Sequence, residues 1–534
     1  MKKAVFTISF LAVAFTLIAG GIVHNTNQSA SFIRMPARNA VLGIDAVYFN
    51  PAATSLLKDG FHFSVNNQYI TQTRTIRSTF PTLGRTEFEG GVVAPVFPSV
   101  FGVYKTNNWA FSLALMPIGG GGSATFEKGL PSFEAQPSTL PSALSLAGVP
   151  TTAYSLDAHF EGRSLIWGLQ AGVAYQANDV VSIGAGIRYL TINNSYHGHL
   201  RDIQINPVFP ALGFTGDMVA APTFFTAMAG MFNSLAGTAA SLQPLITGGG
   251  GGLTLAQAQA MQLLTAEQVQ AIGGGVGFIN PALDPTTMTI EQIQGAYQLA
   301  TPVFLDRKVQ AEASAAATGN RSLDVSQSGT GWAPFIGFNI NLTDNFNVAV
   351  KYEHRARINV TNETTTDDVG LYPDGEVIPS DMPSMFSLGA SWAPIDKLRF
   401  YAGYHHYLDK QANYGRKINN VFVDNSEVID NNFWEAAFGF EAEVTDRLMI
   451  SAGYLHTQTG VNKFYQSDLT HSLSTNSLGT GVRFKLNESF ALNFGVMNTT
   501  YVDDYRMLTG ALGAFQETYN RSANVIALGV DMSF

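Results

Sequence analysis

The sequence predicts an all-β membrane protein: a 14-stranded antiparallel transmembrane β-barrel with an N-terminal hatch in its lumen and a helical extracellular loop. Three observations lead to this prediction. Apolar and polar residues alternate along most segments after residue 60, short turns alternate with long connections, and the few charged residues fall on one face of the alternation. Alternation with a period of two is the pattern of strands that separate two different surroundings.

The composition excludes several classes of protein. Charged residues make up only 13% of the 534 residues, which is too few to solvate a large soluble sheet. The net charge of −10 argues against nucleic acid as a partner. The chain has no cysteine, so it can form neither disulfides nor thiolate metal sites. We find no motif that requires a cofactor or a metal and none typical of an enzyme, and we predict none of these.

The first 21 residues have the pattern of a signal peptide. Two lysines precede an apolar run from Ala4 to Ala19, and a Gly-Gly pair follows it. This predicts a secretory leader over residues 1–21 with cleavage within 19–22. A membrane anchor is the alternative, but the run is short for a span and no stop-transfer charges follow it.

Residues 22–59 break the alternation. The segment is polar, rich in Asn, Ser and Ala, and contains Pro36 and Pro51. A segment without strand pattern cannot face lipid, because its backbone groups would have no partners there. We therefore predict a hatch folded into the lumen, with its exit turn at Asn50, Pro51 and Ala52.

Residues 60–534 form the predicted barrel, and the position of its charges predicts which face meets lipid. In the last strand, Ile526, Leu528 and Val530 share one face, and Asp531 lies on the other. The same small, polar face carries Arg188, Lys351, Glu353, Arg399, Glu435, Glu441, Arg483 and Asp531. A Lys or Arg facing lipid at mid-bilayer costs about 2–4 kcal/mol, so this face is predicted to line the lumen. A soluble sandwich would show the reverse arrangement.

The connections set the number of strands. Six short turns lie near residues 107, 178, 344, 395, 445 and 487, and seven longer connections lie between them. This predicts 14 strands with both ends on the short-turn, periplasmic side. Phe534 ends the last strand, which predicts recognition by the barrel assembly machinery.

The longest connection, residues 204–320, differs in kind. It has no charge from Met218 to Ala266, and Thr254 and Thr289 are predicted N-caps of helices at 255–272 and 290–300. A set of apolar residues at helical spacing is a candidate hydrophobic ligand groove: Phe224, Phe225, Met228, Met231, Phe232 and Leu235. Two alternatives stay open, namely that these residues only pack the helices together, or that 219–240 is a transmembrane helix.

The predicted third strand contains an irregular segment. Pro117 is followed by Gly119, Gly120, Gly121 and Gly122. Proline cannot donate to a strand ladder and glycine weakens it, so a wall strand here would leave a lateral opening. Alternatively, the strand ends at this point and a loop begins.

These features together resemble the FadL-type long-chain fatty acid transporter family of outer-membrane proteins. The resemblance rests on Asn50-Pro51-Ala52 after the polar segment and on residues 382–389, MPSMFSLG. The helical insertion after the fifth strand and the terminal aromatic strand add to it, and it covers essentially the whole mature chain.

The resemblance implies a monomer in the bacterial outer membrane, in contact with lipid and lipopolysaccharide. It implies passive uptake of a hydrophobic small molecule, most simply a long-chain fatty acid, which leaves sideways at residues 117–122. The family's basic head-group residue matches Gly198 here, so Arg201, Arg188, Arg34 and Arg38 are the candidates for that role. Uptake of aromatic hydrocarbons, and a non-transporting adhesin or scaffold barrel, are the alternatives.

Overall fold

Fourteen antiparallel strands form a closed barrel in the computed structural model, which describes residues 22–418, 421–510 and 512–534. The predicted signal peptide lies outside the described residues. The wall strands are β1 Gly60–Ser78, β2 Glu87–Thr106, β3 Trp109–Phe126, β4 Tyr154–Gln176, β5 Val181–Ile205, β6 Arg321–Thr343, β7 Phe346–Glu353, β8 Met385–Ile395, β9 Leu398–Tyr407, β10 Trp434–Glu443, β11 Leu448–Gln458, β12 Thr475–Lys485, β13 Phe490–Tyr501 and β14 Gly513–Ser533.

Each wall strand pairs with the next one along the chain, and the last pairs with the first. The closing ladder runs from His62 opposite Ser533 to Ser78 opposite Glu517. Phe534 and Phe61 then exchange two backbone hydrogen bonds of 2.8 and 2.9 Å. The predicted fold class, with 14 strands and both ends on the short-turn side, is confirmed.

The two faces of the wall differ as the alternation predicts. Leu113, Leu478 and Leu528 are exposed on the outer face, whereas Asn66 and Asn339 are buried on the inner face. An apolar exterior around a polar, filled interior is the arrangement of a barrel surrounded by hydrocarbon.

Shorter elements lie between the wall strands. The α-helices are α1 Ala30–Arg34, α2 Ala46–Phe49, α3 Pro131–Ser138, α4 Leu140–Leu146, α5 Ala221–Leu245, α6 Leu255–Ala260, α7 Ala266–Ile279, α8 Ile290–Ala317 and α9 Asn425–Val428. The 3-10 and π turns are Pro51–Leu56, Pro210–Leu212, Ile246–Gly250 and Asp409–Gln411. The short strands are Val208–Phe209, Phe214–Thr215, Val219–Ala220, Asn359–Asp367, Val377–Pro379, Lys417–Ile418, Val421–Phe422 and Asp504–Gly510.

The chain divides into two compact units. The barrel unit holds the described residues up to Ala135, Ala158–His199 and Arg321–Phe534. The helical unit holds Gln136–Asp157 and Leu200–Asn320.

The helical unit begins its helices where the sequence predicts. Thr254 and Thr289 each form a capping box, in which the threonine hydroxyl accepts from the third helical N–H and a glutamine side chain bonds back. The predicted helix 255–272 is instead two helices, because Thr265 forms a third capping box and starts α7. The predicted helix 290–300 continues to Ala317.

The core of the helical unit lies between α5, α7 and α8. Phe232, Leu235 and Val276 are buried there beside Tyr297, whose hydroxyl donates to the Ile272 carbonyl at 2.9 Å. Burial raises the pKa of Tyr297 to about 12. Among the helices of the described residues, none is long and apolar enough to cross a membrane.

Candidate functional site

The hatch occupies the lumen of the barrel unit. Nearly all of its described residues are buried. Helix α1 is capped by Ser29, whose hydroxyl accepts from the Phe32 N–H at 3.0 Å. Asn50 donates to the Val41 carbonyl at 3.3 Å and to Asn339 of β6 at 2.8 Å. Pro51 then starts the 3-10 turn Pro51–Leu56, whose first five residues are still buried, and the chain becomes exposed only at Lys58 and Asp59, just before β1. The exit turn at Asn50, Pro51 and Ala52 stays a prediction.

Small residues on the inner wall allow the hatch backbone to come close. A Cβ on Gly479 would lie 2.3 Å from the Ile33 carbonyl oxygen, and one on Gly184 would lie 2.6 Å from the Ala52 nitrogen. Both distances are shorter than the closest approach of two non-bonded heavy atoms. Glycine at these wall positions therefore serves the close approach of a second backbone.

Buried ion pairs tie the hatch to the wall on one side. Glu441 of β10 accepts from Arg34 at 2.7 Å and from Arg38 at 3.2 Å. Arg38 also pairs with Asp45 of the hatch at 2.7 Å. Each of these two hatch arginines therefore has a carboxylate of the protein beside it.

A second buried network lies on β5 and β7 of the wall. Arg188 of β5 pairs with Glu353 of β7, and Lys351 lies 3.4 Å from the same carboxylate. Lys351 donates to the Tyr48 carbonyl of the hatch at 2.7 Å, and the Arg188 guanidinium lies 5.1 Å from the centre of the Tyr48 ring. These contacts hold α2 in place.

The four arginines proposed for a ligand head group thus have different surroundings. Arg34, Arg38 and Arg188 are buried and paired with carboxylates. Arg201 is exposed in the helical unit. Their role toward a ligand stays a prediction, and the contacts observed for the three buried ones are structural.

The ladder between β2 and β3 is interrupted. The strands pair from Val100–Leu115 down to Thr106–Trp109, and again at Val92–Ala124 and Gly91–Thr125. Among the residues whose pairing the structure describes, those of 93–99 and 116–123 have no partner across this boundary, although β2 stays paired with β1 and β3 with β4 on either side of it. We name this feature the β2–β3 gap. Strand β3 continues beyond it to Phe126, so the strand does not end here and only its ladder with β2 is interrupted.

The glycines of the predicted lateral opening lie in the β2–β3 gap. Gly120 and Gly122 have φ of +70° and +96°, which side chains rarely adopt. Pairing with β4 shifts register on both sides of this segment, after Pro117 and after Gly120. Proline and left-handed glycine together explain why β3 loses its ladder with β2 at this point.

The hatch takes the place of the missing strand partner. The Asn25 N–H donates to the Ile118 carbonyl at 2.6 Å, and the Gln28 side chain donates to the Pro117 carbonyl at 2.9 Å. On the other edge, Ser99 donates to the Gln28 carbonyl at 2.5 Å. Hatch residues 25–28 therefore line the β2–β3 gap from inside and bind both of its edges.

Apolar side chains flank the β2–β3 gap at both ends. Met116 and Ile118 belong to an apolar cluster shared with the hatch. Val92 and Ala124 belong to another, which we name the long-loop cluster. Its buried members are Ile76, Phe88, Val92, Ala124, Phe126, Leu130, Phe160, Tyr196, Val325, Leu371, Tyr372, Leu469, Leu473, Tyr501, Tyr519 and Ala523. Buried apolar side chains thus extend along the inside of the wall to the edge of the gap.

The residues of the predicted hydrophobic groove lie in the helical unit. Phe224, Phe225, Phe232 and Leu235 are buried, and Met228 and Met231 are partly buried in its core. This placement is that of side chains that pack helices together. Their role toward a ligand stays a prediction. The part of the chain that the structure describes contains no group of three residues able to hold a metal ion.

Sequence reasoning missed two buried arginines, Arg74 on β1 and Arg521 on β14. The alternation places both on the lumen face, which was a usable signal. Their pairing across the closing ladder depends on a register between strands at the two ends of the chain, and no local pattern reports it.

Comparison with known proteins identifies the fold. No family model and no curated protein matches the chain. Among solved structures, a FadL homologue of Pseudomonas aeruginosa matches 96% of this chain and 100% of its own, with 13% identity and a TM-score of 0.54. The chain has that fold. The toluene transporter TodX of P. putida matches 92% of this chain and 94% of its own, also with 13% identity, at a TM-score of 0.46. The resemblance drawn from the sequence is thus confirmed at the level of the fold.

Proposed function

We propose that this protein is a passive channel of the bacterial outer membrane that takes up hydrophobic small molecules and releases them sideways through the β2–β3 gap. The observation that carries the proposal is the interrupted ladder in a wall that is otherwise closed. A hydrophobic molecule gains nothing from an aqueous pore, because it must leave water for lipid. An opening in the wall offers it that route directly.

The arrangement of the lumen supports this route. The long-loop cluster extends to Val92 and Ala124, the last paired residues on one side of the gap. The hatch fills the lumen beyond it and binds both edges of the gap through residues 25–28. A path straight through the barrel is therefore blocked, whereas a path sideways ends at an apolar edge.

We propose long-chain fatty acids as the substrate class, on the strength of the sequence resemblance. The remaining sequence predictions belong to the same proposal: a monomer, contact with lipid and lipopolysaccharide, delivery by the barrel assembly machinery through Phe534, and transport without catalysis.

Uptake is tested in cells that carry or lack the gene. Labelled oleate and labelled toluene are supplied separately, and their initial rates of entry are compared. We expect the gene to increase oleate entry. If the gene increases the entry of toluene alone, the substrate class is aromatic hydrocarbons rather than fatty acids. If strains with and without the gene take up each compound at the same rate, the proposal is refuted.

The lateral exit is tested by a reversible cross-link. A Cβ on Gly122 would lie 3.3 Å from the Ala94 Cβ, slightly shorter than the usual disulfide separation of about 3.8 Å. Because the left-handed φ of Gly122 strains any side chain there, the reduced variant is first shown to fold and to transport like the wild type. The chain has no native cysteine, so the variant Ala94→Cys with Gly122→Cys forms a single defined bridge across the gap. We expect oxidation to reduce uptake several-fold and reductant to restore it.

The matched control is Val103→Cys with Ser112→Cys, a bridge between the same strands at register partners in the intact part of the ladder. Oxidation of this control is expected to leave uptake unchanged. If the oxidised gap variant transports as fast as its reduced form, the lateral exit is refuted.

A further inference from the structure

Arg74 and Arg521 form a pair of buried positive charges that face each other. They are register partners in the ladder between β1 and β14, and they are only 1% and 4% exposed. Register partners on one face of an antiparallel pair have Cβ atoms about 5 Å apart, and like charges so placed are destabilising. Burial increases the repulsion, because it removes the screening by water.

The protein supplies this pair with hydrogen bonds, including one from Arg521 to the Tyr501 side chain, but with no carboxylate among the described residues. Arg74 Nε donates to Gln72 at 3.0 Å, and Arg521 Nη2 donates to the His471 carbonyl at 3.3 Å. The Arg521 guanidinium lies 5.3 Å from the centre of the Tyr501 ring. Arg74 Nη2 and Arg521 Nε have no hydrogen-bond partner among the described residues, and neither guanidinium has an ion pair there.

The other buried arginines of the lumen make a useful contrast. Arg34, Arg38 and Arg188 each lie beside a carboxylate of the protein. A buried charge ordinarily needs such a partner, since an uncompensated one is strongly destabilising. Arg416, in the loop after β9, is also buried without an ion pair among the described residues, but it stands alone, donates to the Tyr465 carbonyl at 2.8 Å and lies 4.2 Å from the centre of that ring. Arg74 and Arg521 instead place two such charges opposite each other, which indicates that their counter-charge comes from outside the chain.

The charged and titratable groups around the pair leave its charge unbalanced. His471 stacks on Tyr519 at 5.0 Å, and burial together with the charges of Arg521 and Arg74 holds its pKa well below the usual range. Two buried acids in contact with other members of this region have their own donors: Tyr519 donates to Glu517 at 2.8 Å, and the Ser132 N–H donates to Asp468 at 2.9 Å.

Apolar side chains surround the pair on the inner face. The register neighbours are Gln72 opposite Ala523 on one side and Ile76 opposite Tyr519 on the other. Ile76, Tyr519 and Ala523 all belong to the long-loop cluster, the same cluster that reaches the β2–β3 gap. The two buried cations would bind the anionic head group of a single-chain amphiphile, and the apolar cluster beside them would contact its hydrocarbon chain.

We propose that Arg74 and Arg521 bind the carboxylate of a fatty acid whose chain packs against the long-loop cluster. This inference rests on the proposed function and names the residues that would select acids over neutral hydrocarbons. Guanidinium groups bind carboxylates through charge-assisted, often bidentate hydrogen bonds. A neutral molecule would leave both charges buried and unpaired, so the site discriminates against it.

The site lies beyond the apolar outer band of the wall. On β1 the outward residues near the short-turn end are Phe61, Phe63 and Val65, whereas Thr71, Thr73 and Thr75 face outward beside Arg74. The head group of the fatty acid is therefore held toward the long-loop end of the barrel. Its hydrocarbon chain would lie between the two arginines and the β2–β3 gap.

The test is a binding measurement on the purified full-length barrel in an uncharged detergent. Oleate is titrated and compared with oleyl alcohol, which has the same chain and no charge. For Arg74→Gln and Arg521→Gln we expect oleate to bind at least about tenfold more weakly, the usual loss for one charge-assisted hydrogen bond, while the alcohol is unaffected. Arg521→Lys should fall between, because it keeps the charge and loses the planar geometry.

The matched control is Arg77→Gln on the same strand. Arg77 is exposed and pairs with Glu87, so its loss should change neither ligand. Removing one of two repelling charges should also leave the barrel as stable as the wild type or more so, which a structural role for these arginines does not predict. If Arg74→Gln fails to fold, Arg521→Gln and Arg74→Lys decide the question.

Two outcomes separate this inference from the proposed function. If both folded glutamine variants bind oleate like the wild type while cells still take up oleate, the carboxylate site is refuted and transport stands. If cells show no uptake but binding depends on both arginines, transport is refuted and the site stands.

Discussion

The ion pair of Glu353 provides the sharpest test of how the hatch is held. The Glu353 side chain is 2% exposed and those of its partners Arg188 and Lys351 are 0% and 3% exposed. Glu353→Gln keeps the volume but removes the only negative charge of this network, leaving two buried cations beside Tyr48. Breaking a buried pair in this way typically costs about 3–5 kcal/mol. At about 1.4 kcal/mol per factor of ten, the lower value is roughly a hundredfold in the folding equilibrium.

The control is an exposed pair of the same kind. Arg77 and Glu87 join β1 to β2 at 2.8 Å, with side chains 56% and 49% exposed. Glu87→Gln should therefore change the free energy of unfolding by less than about 1 kcal/mol. Both variants are unfolded with denaturant in detergent micelles and followed by tryptophan fluorescence and gel mobility. Equal shifts for the two would refute the argument from burial. A triple variant with Met, Met and Leu in place of Arg188, Lys351 and Glu353 should regain most of the free energy of unfolding that Glu353→Gln loses.

Two further predictions concern the helical unit and the loops. Gly275→Ala should destabilise the helical unit by about 1–3 kcal/mol, because its Cβ would lie 1.8 Å from the Tyr297 hydroxyl, whereas Gly274→Ala, with nothing within 4 Å, should be neutral or stabilising. Thermal loss of helical circular dichroism measures both, and equal midpoints would contradict the packing described. Burial raises the pKa of Asp468 above its ordinary 3.8, so its contribution to the stability of loop 461–474 is fully present below about pH 4 and is lost as pH rises through the raised value. Protease sensitivity of this loop should therefore increase with pH in the wild type and much less in Asp468→Asn; an identical pH profile in the two would exclude Asp468 as the cause.

The sequence predicts the barrel well because the membrane imposes a simple rule on it. Lipid excludes charge from one face of every strand, so Arg188 and Glu441 had to point inward whatever the register. The helix starts at Thr254 and Thr289 were predictable for a local reason, since a capping box needs only four consecutive residues. The break at Thr265 follows the same Thr-x-x-Gln pattern and could have been found.

The polar interior could not be predicted in the same way. Glu441 meets Arg34 across 407 residues of chain, and Arg521 meets Arg74 across 447. Such contacts depend on where the hatch lies and on how the strands close, neither of which leaves a local signature. The β2–β3 gap could be predicted only in part. Pro117 and the glycines indicate a weak strand, but only the register between β2 and β3 shows where the two strands stop pairing.

The pairing of β1 with β14 sets the order in which the molecule can be assembled. The two strands that close the barrel, β1 and β14, are synthesised first and last among the wall strands, and the hatch precedes β1 in the sequence. Once β1 and β14 have paired, the hatch would have to enter the closed barrel through one of its ends. We therefore expect the hatch to be enclosed while the sheet closes around it, and a hatch supplied later as a separate peptide to remain unbound.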